Sequence, residues 1–119
     1  MVMHSSPVEP YESFNCRGKK VEEMTAAECT KCEMIYTNYT FISVPEMLQW
    51  ADGKINVMFC VKESTDIARA VSTLIELKAQ TRAFLELGVG DMFDFAIQAE
   101  GWQQVYFVIE IHNKAELQR

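Results

Sequence analysis

Hydrophobic and polar residues alternate most regularly along residues 54–62, KINVMFCVK. A period of two places successive side chains on opposite faces of a β-strand. One side of the segment carries Ile55, Val57, Phe59 and Val61, and the other carries Asn56, Met58 and Cys60. The pattern predicts a central strand with one apolar face.

The segment after this strand has apolar residues at the spacing of a helix. Ser64, Thr65 and Asp66 offer side-chain oxygens for an N-cap, and Gly88 suits a C-cap. Between them, residues of one helix face recur at spacings of three and four: Ile67, Val71, Leu74, Leu77, Thr81, Phe84 and Leu85. The spacing predicts an amphipathic helix over 67–87, about 30–35 Å long at 1.5 Å per residue and able to cross a whole sheet.

A shorter helix is predicted by Thr25 and Glu28, which have the spacing of a capping box. In that motif the hydroxyl accepts from the third helical amide and the carboxylate accepts from the cap's own amide. The helix is expected over 26–35. The β-branched and aromatic residues of 36–42 then predict a strand, and 12–21 predicts a short strand with a turn at Gly18.

A second capping box is formed by Ser43 and Glu46. Proline at position 45 is tolerated because the first turn of a helix does not need its missing amide. The segment predicts a helix over 44–51, ended by Gly53 in the left-handed conformation.

Two strands, 91–98 and 102–112, are predicted at the end of the sequence. Residues 99–101 suit a three-residue hairpin loop with Gly101 in the left-handed region. This register gives the hairpin one apolar face for the long helix, made of Phe93, Phe95, Val105, Phe107, Ile109 and Ile111.

The elements together predict a two-layer α+β fold. An antiparallel sheet of about four strands would carry the long helix on its apolar face, with the two shorter helices beside it. Residues 1–11 are expected to be a mobile N-terminal tail and 12–119 a single domain, because the 119-residue chain has the commonest domain size.

Composition narrows the class of partner. Seventeen acidic and eleven basic side chains give a net charge of −6, which disfavours binding to nucleic acid or anionic lipid. No segment has the ~18 consecutive apolar residues of a membrane span, and the first residues lack the pattern of a secretory signal. A cytoplasmic protein with reduced cysteines is therefore expected, in which the sequon Asn38-Tyr39-Thr40 is a chance match.

The Cys-x-x-Cys segment AECTKCE, residues 27–33, allows three interpretations. A zinc site would need Cys16, Cys29, Cys32 and either Cys60 or a histidine, without a second Cys-x-x-Cys pair. A redox pair would need a thiolate at a helix N-terminus, whereas Cys29 falls inside the predicted helix beside acidic residues. Packing is favoured, with Cys29, Cys32 and Tyr36 forming a buried helix stripe.

The outer face of the predicted hairpin is the other candidate site. The register puts Asp94 opposite Tyr106, with Glu110 and His112 on the same side, a set able to perform acid–base chemistry in a pocket. Plain alternation on a solvated sheet gives the same residues and is favoured. Three further residues make this surface apolar enough to bind a protein: Met58, Met92 and Trp102.

Several functional motifs are incomplete. Gly88-Val89-Gly90 lacks the third glycine and the strand-before-helix context of a phosphate loop, and residues 90–94 lack the further ligands of a calcium loop. No catalytic residue and no cofactor is predicted. Residues 18–25, GKKVEEMT, resemble segments of short proteins from phages and other mobile elements, over too short a stretch to imply a function.

The first functional hypothesis is a non-enzymatic interaction module, a small acidic regulator or inhibitor that binds a protein partner or itself. The alternative is a ligand-binding or catalytic domain with a pocket between sheet and helices. A zinc-stabilised domain is the third.

Overall fold

A computed structural model describes residues 1–3, 6–88 and 91–110. The chain forms two compact units, Met1–Trp50 (unit 1) and Ala51–Arg119 (unit 2). Each unit has its own local architecture and is considered by itself.

Unit 1 is built around a small core and a disulfide. Val8, Cys16, Cys32 and Phe41 are buried together, and the partly buried Met1, Met3, Val21 and Met24 pack against them. Cys16 and Cys32 are joined by the disulfide, with their Cα atoms 5.5 Å apart. The prediction of reduced cysteines is wrong for this pair. Part of the expected N-terminal tail, including Val8 at 2% exposure, lies in this core.

Two helices of the sequence analysis begin where they were predicted. Helix α1 spans Ala26–Cys29 and helix α2 spans Val44–Ala51. The Thr25 hydroxyl accepts from the Glu28 amide at 3.2 Å, and the Glu28 carboxylate accepts from the Thr25 amide at 2.7 Å. The backbone amide and then the hydroxyl of Thr25 hold the pKa of Glu28 below its ordinary value. The capping boxes are confirmed, since Ser43 and Glu46 make the same exchange.

Helix α1 ends after one turn, earlier than predicted. The chain turns after Cys29, and Tyr36 has a left-handed backbone with φ of 60°. Glu33 and Thr40 form an isolated antiparallel bridge, with Tyr36 92% exposed between them. The predicted strand over 36–42 is therefore wrong, and Tyr36 does not extend a buried stripe.

Unit 2 contains a parallel sheet. The elements in chain order are β1 Val57–Cys60, α3 Ile67–Glu76, β2 Ala83–Leu87, α4 Asp91–Ala96 and β3 Tyr106–Ile109. The strands described by the structure lie in the order β1-β2-β3, and both neighbouring pairs are parallel. The predicted antiparallel sheet of about four strands is wrong. Parallel neighbours need crossover connections, and α3 and α4 lie in the two crossovers.

The predicted helix over 67–87 is two elements. Its first part is α3, with the spacing of Ile67, Val71 and Leu74 confirmed by their complete burial. Lys78 then adopts a left-handed backbone with φ of 52°, which ends the helix. Residues 83–87 are extended because Ala83, Leu85 and Leu87 are buried with a period of two, which suits a strand covered on one face.

The predicted terminal hairpin is also wrong. Residues 91–96 are helical, so Phe93 and Phe95 do not join a strand face and are 39% and 45% exposed. Gly101 has the expected left-handed backbone, with φ of 80°, but it precedes a short 3-10 helix at Trp102–Gln104. A Cβ atom at Gly101 would lie 2.6 Å from Ile75 Cδ1. The glycine therefore permits both the backbone conformation and this close approach.

The apolar residues of α3 and of one sheet face supply the core of unit 2. Ala83, Leu85 and Leu87 on β2 are at most 1% exposed, as are the buried positions of α3. This burial is typical of a helix layer over one side of a sheet. In the described residues, no helix has the length and apolar character needed to cross a membrane.

Candidate interaction surface

The second face of the unit 2 sheet carries side chains that the described residues leave partly or half exposed. Because side chains alternate along each strand, the residues between the buried positions share this side. The strand register places them in two rows, Met58–Phe84–Tyr106 and Cys60–Glu86–Val108. These six residues form what we call the outer face.

The first row of the outer face is apolar and aromatic. Met58 is 50% exposed and Tyr106 is 62% exposed, with the partly buried Phe84 between them. The rings of Phe84 and Tyr106 have centroids 6.1 Å apart and planes inclined at 60°. Tilted rings at this distance attract each other. The row is therefore a preformed contact surface.

The second row contains a polar pair. The Cys60 thiol donates a short hydrogen bond to the Glu86 carboxylate on the neighbouring strand. This hydrogen bond is the main cause that raises the pKa of the Cys60 thiol, followed by burial and by the negative charges of Glu86 and Glu110; Lys62 lowers it. Cys60 is therefore a poor nucleophile, because the thiolate is the reactive form.

Replacing Glu86 by glutamine is expected to make Cys60 more reactive. Glu86→Gln keeps the side-chain shape but removes the negative charge that disfavours the thiolate. The pH midpoint for alkylation of Cys60 should fall, and the rate near pH 8 should rise severalfold as the thiolate fraction rises. Peptide mass spectrometry after timed iodoacetamide treatment measures the rate. Glu110→Gln is the control and should have a smaller effect, and equal effects would contradict the role of Glu86.

The site residues predicted from the sequence are distributed over several elements. Met58 and Tyr106 share the outer face, on its two edge strands. Asp94 and Met92 belong to α4, and Trp102 begins the 3-10 helix. Glu110 follows β3, and His112 lies outside the described residues. The neighbour of Tyr106 is Phe84, so the predicted pairing of Tyr106 with Asp94 does not occur.

Sequence analysis missed two residues in the middle of the outer face, Phe84 and Glu86. Both were assigned to the long helix. The signal that identifies them is the alternation of Ala83, Leu85 and Leu87 with these less buried residues. The same residues also continue the helical spacing of α3, and the sequence analysis therefore assigned them to a helix.

Two surface depressions lie elsewhere in the units. One, of about 410 Å³, is lined in unit 1 by residues 7–10 with Arg17 and Gly18. The other, of about 240 Å³, is lined in unit 2 by residues 53–56 and Arg82. Neither contains Asp94, Tyr106 or Glu110, the described members of the predicted acid–base set. The alternative of a catalytic pocket at those residues therefore gains no support from the geometry.

The glycine segment 88–90 lies in sequence between strand β2 and helix α4. The sequence analysis did not predict this order of strand and helix around it. The third glycine of a phosphate loop is still missing, and residues 89 and 90 are outside the described part. The helix that follows it has six residues.

The four residues of the zinc hypothesis are divided between the units. Cys16 and Cys32 are joined by a disulfide, Cys29 is a buried free thiol, and Cys60 belongs to the outer face of unit 2. Across residues 1–3, 6–88 and 91–110, no group of three or more His, Cys, Asp or Glu side chains is arranged to hold a metal ion.

The chain was compared with protein-family models, with curated proteins and with solved structures. None of the three comparisons gave a match. The functional argument therefore depends on the outer face and on the chemistry of the cysteines.

Proposed function

We propose that this chain is a non-enzymatic interaction module, a small acidic regulator or inhibitor that binds a helix of a protein partner through the outer face. The observation that carries the proposal is the half-exposed row of Met58, Phe84 and Tyr106 on one side of a parallel sheet. Parallel sheets occur almost only with both faces covered, because their crossover helices pack on them. Within the described residues no layer covers this row, and the proposed partner would supply that layer.

The dimensions of the outer face favour a single helix as the occupant. Three strands at ~4.8 Å spacing and four residues at ~3.3 Å give an area of roughly 10 Å by 10 Å. An α-helix with side chains is about 10–12 Å wide, so one helix covers this area. A second copy would bring the same Glu86 and the same net charge of −6 to the interface, and like charges oppose binding. The occupant we infer is therefore a helix and not a second copy.

The negative charge of this chain indicates which residues the partner helix should carry. Glu86 is central in the second row, Glu110 follows β3, and the whole chain has a net charge of −6. Opposite charges across an interface increase specificity and association rate, whereas like charges oppose binding. A lysine or arginine within an apolar helix stripe would lie opposite Glu86. The partner helix should thus be amphipathic, with one basic residue in its apolar side.

Two synthetic helical peptides test this proposal. Both have about 14 residues, roughly 20 Å of helix, with an apolar stripe that contains one lysine or, in the twin peptide, one glutamate. Fluorescence anisotropy should show at least tenfold tighter binding of the lysine peptide. Tyr106→Glu should weaken that binding at least tenfold by placing a charge in the apolar row, and Glu86→Gln should reduce the preference for lysine over glutamate.

Phe95→Glu is the matched control, because Phe95 is a half-exposed aromatic residue of unit 2 that lies on α4 and not on the sheet. It should leave peptide binding unchanged. Equal losses in Phe95→Glu and Tyr106→Glu, or no binding of either peptide, would contradict the proposal. A concentration-dependent dimer in sedimentation that Tyr106→Glu abolishes would identify a second copy as the occupant instead.

The disulfide bears on the cytoplasmic location expected from the sequence. Disulfides form and persist mainly in oxidising compartments and are rare in cytosolic proteins. In the cytoplasm, thiol reductants would reduce the Cys16–Cys32 bond whenever local unfolding of unit 1 exposed it. The cytoplasmic location therefore stays a prediction.

A further inference from the structure

We propose that unit 1 contains a thiol–disulfide exchange site, in which Cys32 bonds alternately to Cys16 and to Cys29. The observation is that three of the chain's four cysteines lie in this unit, two in a disulfide and the third as a free thiol. All three are buried, with exposures of 3% for Cys16, 1% for Cys29 and 0% for Cys32. Burial makes the neighbouring thiol, and not one from solvent, the first available nucleophile.

The backbone brings Cys29 within reach of Cys32. The Cys32 amide donates to the Cys29 carbonyl at 3.0 Å, which closes a turn of four residues. Such turns hold their first and last Cα atoms within about 7 Å. Disulfides span Cα distances of about 4.4–6.8 Å. The turn therefore satisfies the main distance requirement for a Cys29–Cys32 bond.

The exchange is an isomerisation that needs no external oxidant or reductant. The Cys29 thiol loses its proton, and its sulfur attacks the Sγ atom of Cys32. The Cys29–Cys32 bond forms as the Cys32–Cys16 bond breaks, and Cys16 leaves as a thiolate that takes up a proton. One disulfide and one thiol are present before and after the step.

The hydrogen bonds of Asn15 determine which of the two disulfides, Cys16–Cys32 or Cys29–Cys32, is favoured. Its Oδ1 atom accepts from the Glu33 amide at 3.0 Å, and its Nδ2 atom donates to the Lys31 carbonyl at 2.9 Å. These bonds join the segment before Cys16 to the residues on both sides of Cys32. While they are intact, Cys16 is held beside Cys32. When they open, Cys16 is no longer held beside Cys32, and Cys29, three residues from Cys32, competes with it.

The exchange also has a structural consequence. The Cys16–Cys32 bond links residues 16 apart in sequence, whereas the Cys29–Cys32 bond closes only a local turn. Isomerisation therefore frees the first part of unit 1 from its covalent link to the segment at Cys32. Unit 1 therefore has two states, one in which the disulfide links its first part to the segment at Cys32 and one in which this link is absent.

Disulfide mapping of the full chain tests the proposal. Trypsin cleaves after Arg17 and Lys31, so the three cysteines fall in three different peptides. The protein is incubated at mildly alkaline pH, and free thiols are then trapped by an excess of N-ethylmaleimide in denaturant near neutral pH, because alkylation needs some thiolate and hardly proceeds in acid. Wild type should contain mainly Cys16–Cys32 pairs and a small share of Cys29–Cys32 pairs, because the long-range bond stabilises unit 1 more, and Asn15→Ala should raise that small share at least threefold. Cys29→Ser should contain Cys16–Cys32 alone.

Cys16→Ser provides an independent measurement, because oxidation of this variant should form the Cys29–Cys32 bond within one chain. Failure to form it would show that the turn cannot hold the disulfide and would overturn the proposal. Exclusive Cys16–Cys32 pairing in both wild type and Asn15→Ala would also overturn it. Neither result depends on peptide binding at the outer face.

Discussion

Removal of the Cys16–Cys32 disulfide is expected to destabilise unit 1 by about 3 kcal/mol. A link across 16 residues of sequence restricts the unfolded chain by about 3 kcal/mol. A unit of about 50 residues has a total stability of only roughly 2.5–7.5 kcal/mol. The described cluster around the disulfide is small, and two of its four buried residues are the bonded cysteines. The disulfide is thus a major share of its stability.

Hydrogen exchange measures this loss at identified amides. The Phe41 amide donates to the Cys32 carbonyl and the Met34 amide to the Tyr39 carbonyl, both within unit 1. In the double variant Cys16→Ala, Cys32→Ala, we expect protection at these amides to fall roughly a hundredfold, as about 3 kcal/mol implies. Cys60→Ala, which removes an exposed thiol of unit 2, should leave them unchanged. Unchanged protection in the double variant would refute a stabilising role for the bond.

Leu85→Ala is expected to cost unit 2 about 3 kcal/mol, within the usual range for a buried leucine. Leu85 lies on the central strand, is paired with Phe59 on one side and Phe107 on the other, and is 1% exposed. Its truncation leaves a cavity next to three strands. Met58→Ala on the outer face should cost less than about 1 kcal/mol, because half of that side chain is already in solvent.

Urea unfolding followed by the fluorescence of Trp102 measures both variants. A Trp50→Phe background restricts the signal to unit 2, where Trp102 lies. A larger loss for Met58→Ala than for Leu85→Ala would mean that the buried and open faces of the sheet have been exchanged. The comparison therefore tests the assignment on which the outer face depends.

Local signals that involve only neighbouring residues were predicted well from the sequence. The capping boxes at Thr25 and Ser43 need groups three residues apart, and both form. The left-handed glycines at positions 18, 53 and 101 likewise follow from local sterics. The alternation of Val57 and Phe59 against Met58 and Cys60 gave the correct faces of β1, because that alternation has no helical competitor.

Prediction failed where one segment suited two periods. Residues 83–87 continue the helical spacing of α3 and also alternate as a strand, and burial against other elements selected the strand. Residues 91–98 alternate as a strand, yet 91–96 form the crossover helix that a parallel pair of strands requires. A third of the outer face was missing from the prediction for this reason, since Phe84 and Glu86 were placed in a helix.

The sequence by itself determined the starts of α1, α2 and α3, the special glycines, the faces of the first strand and the acidic balance, because each depends on near neighbours or on composition. Tertiary structure alone decided the parallel order of the strands, the Cys16–Cys32 pairing and the rows of the outer face. These features join residues distant in sequence, as Met58, Phe84 and Tyr106 are. Their proximity depends on how several marginal elements are packed at once, which no local pattern specifies.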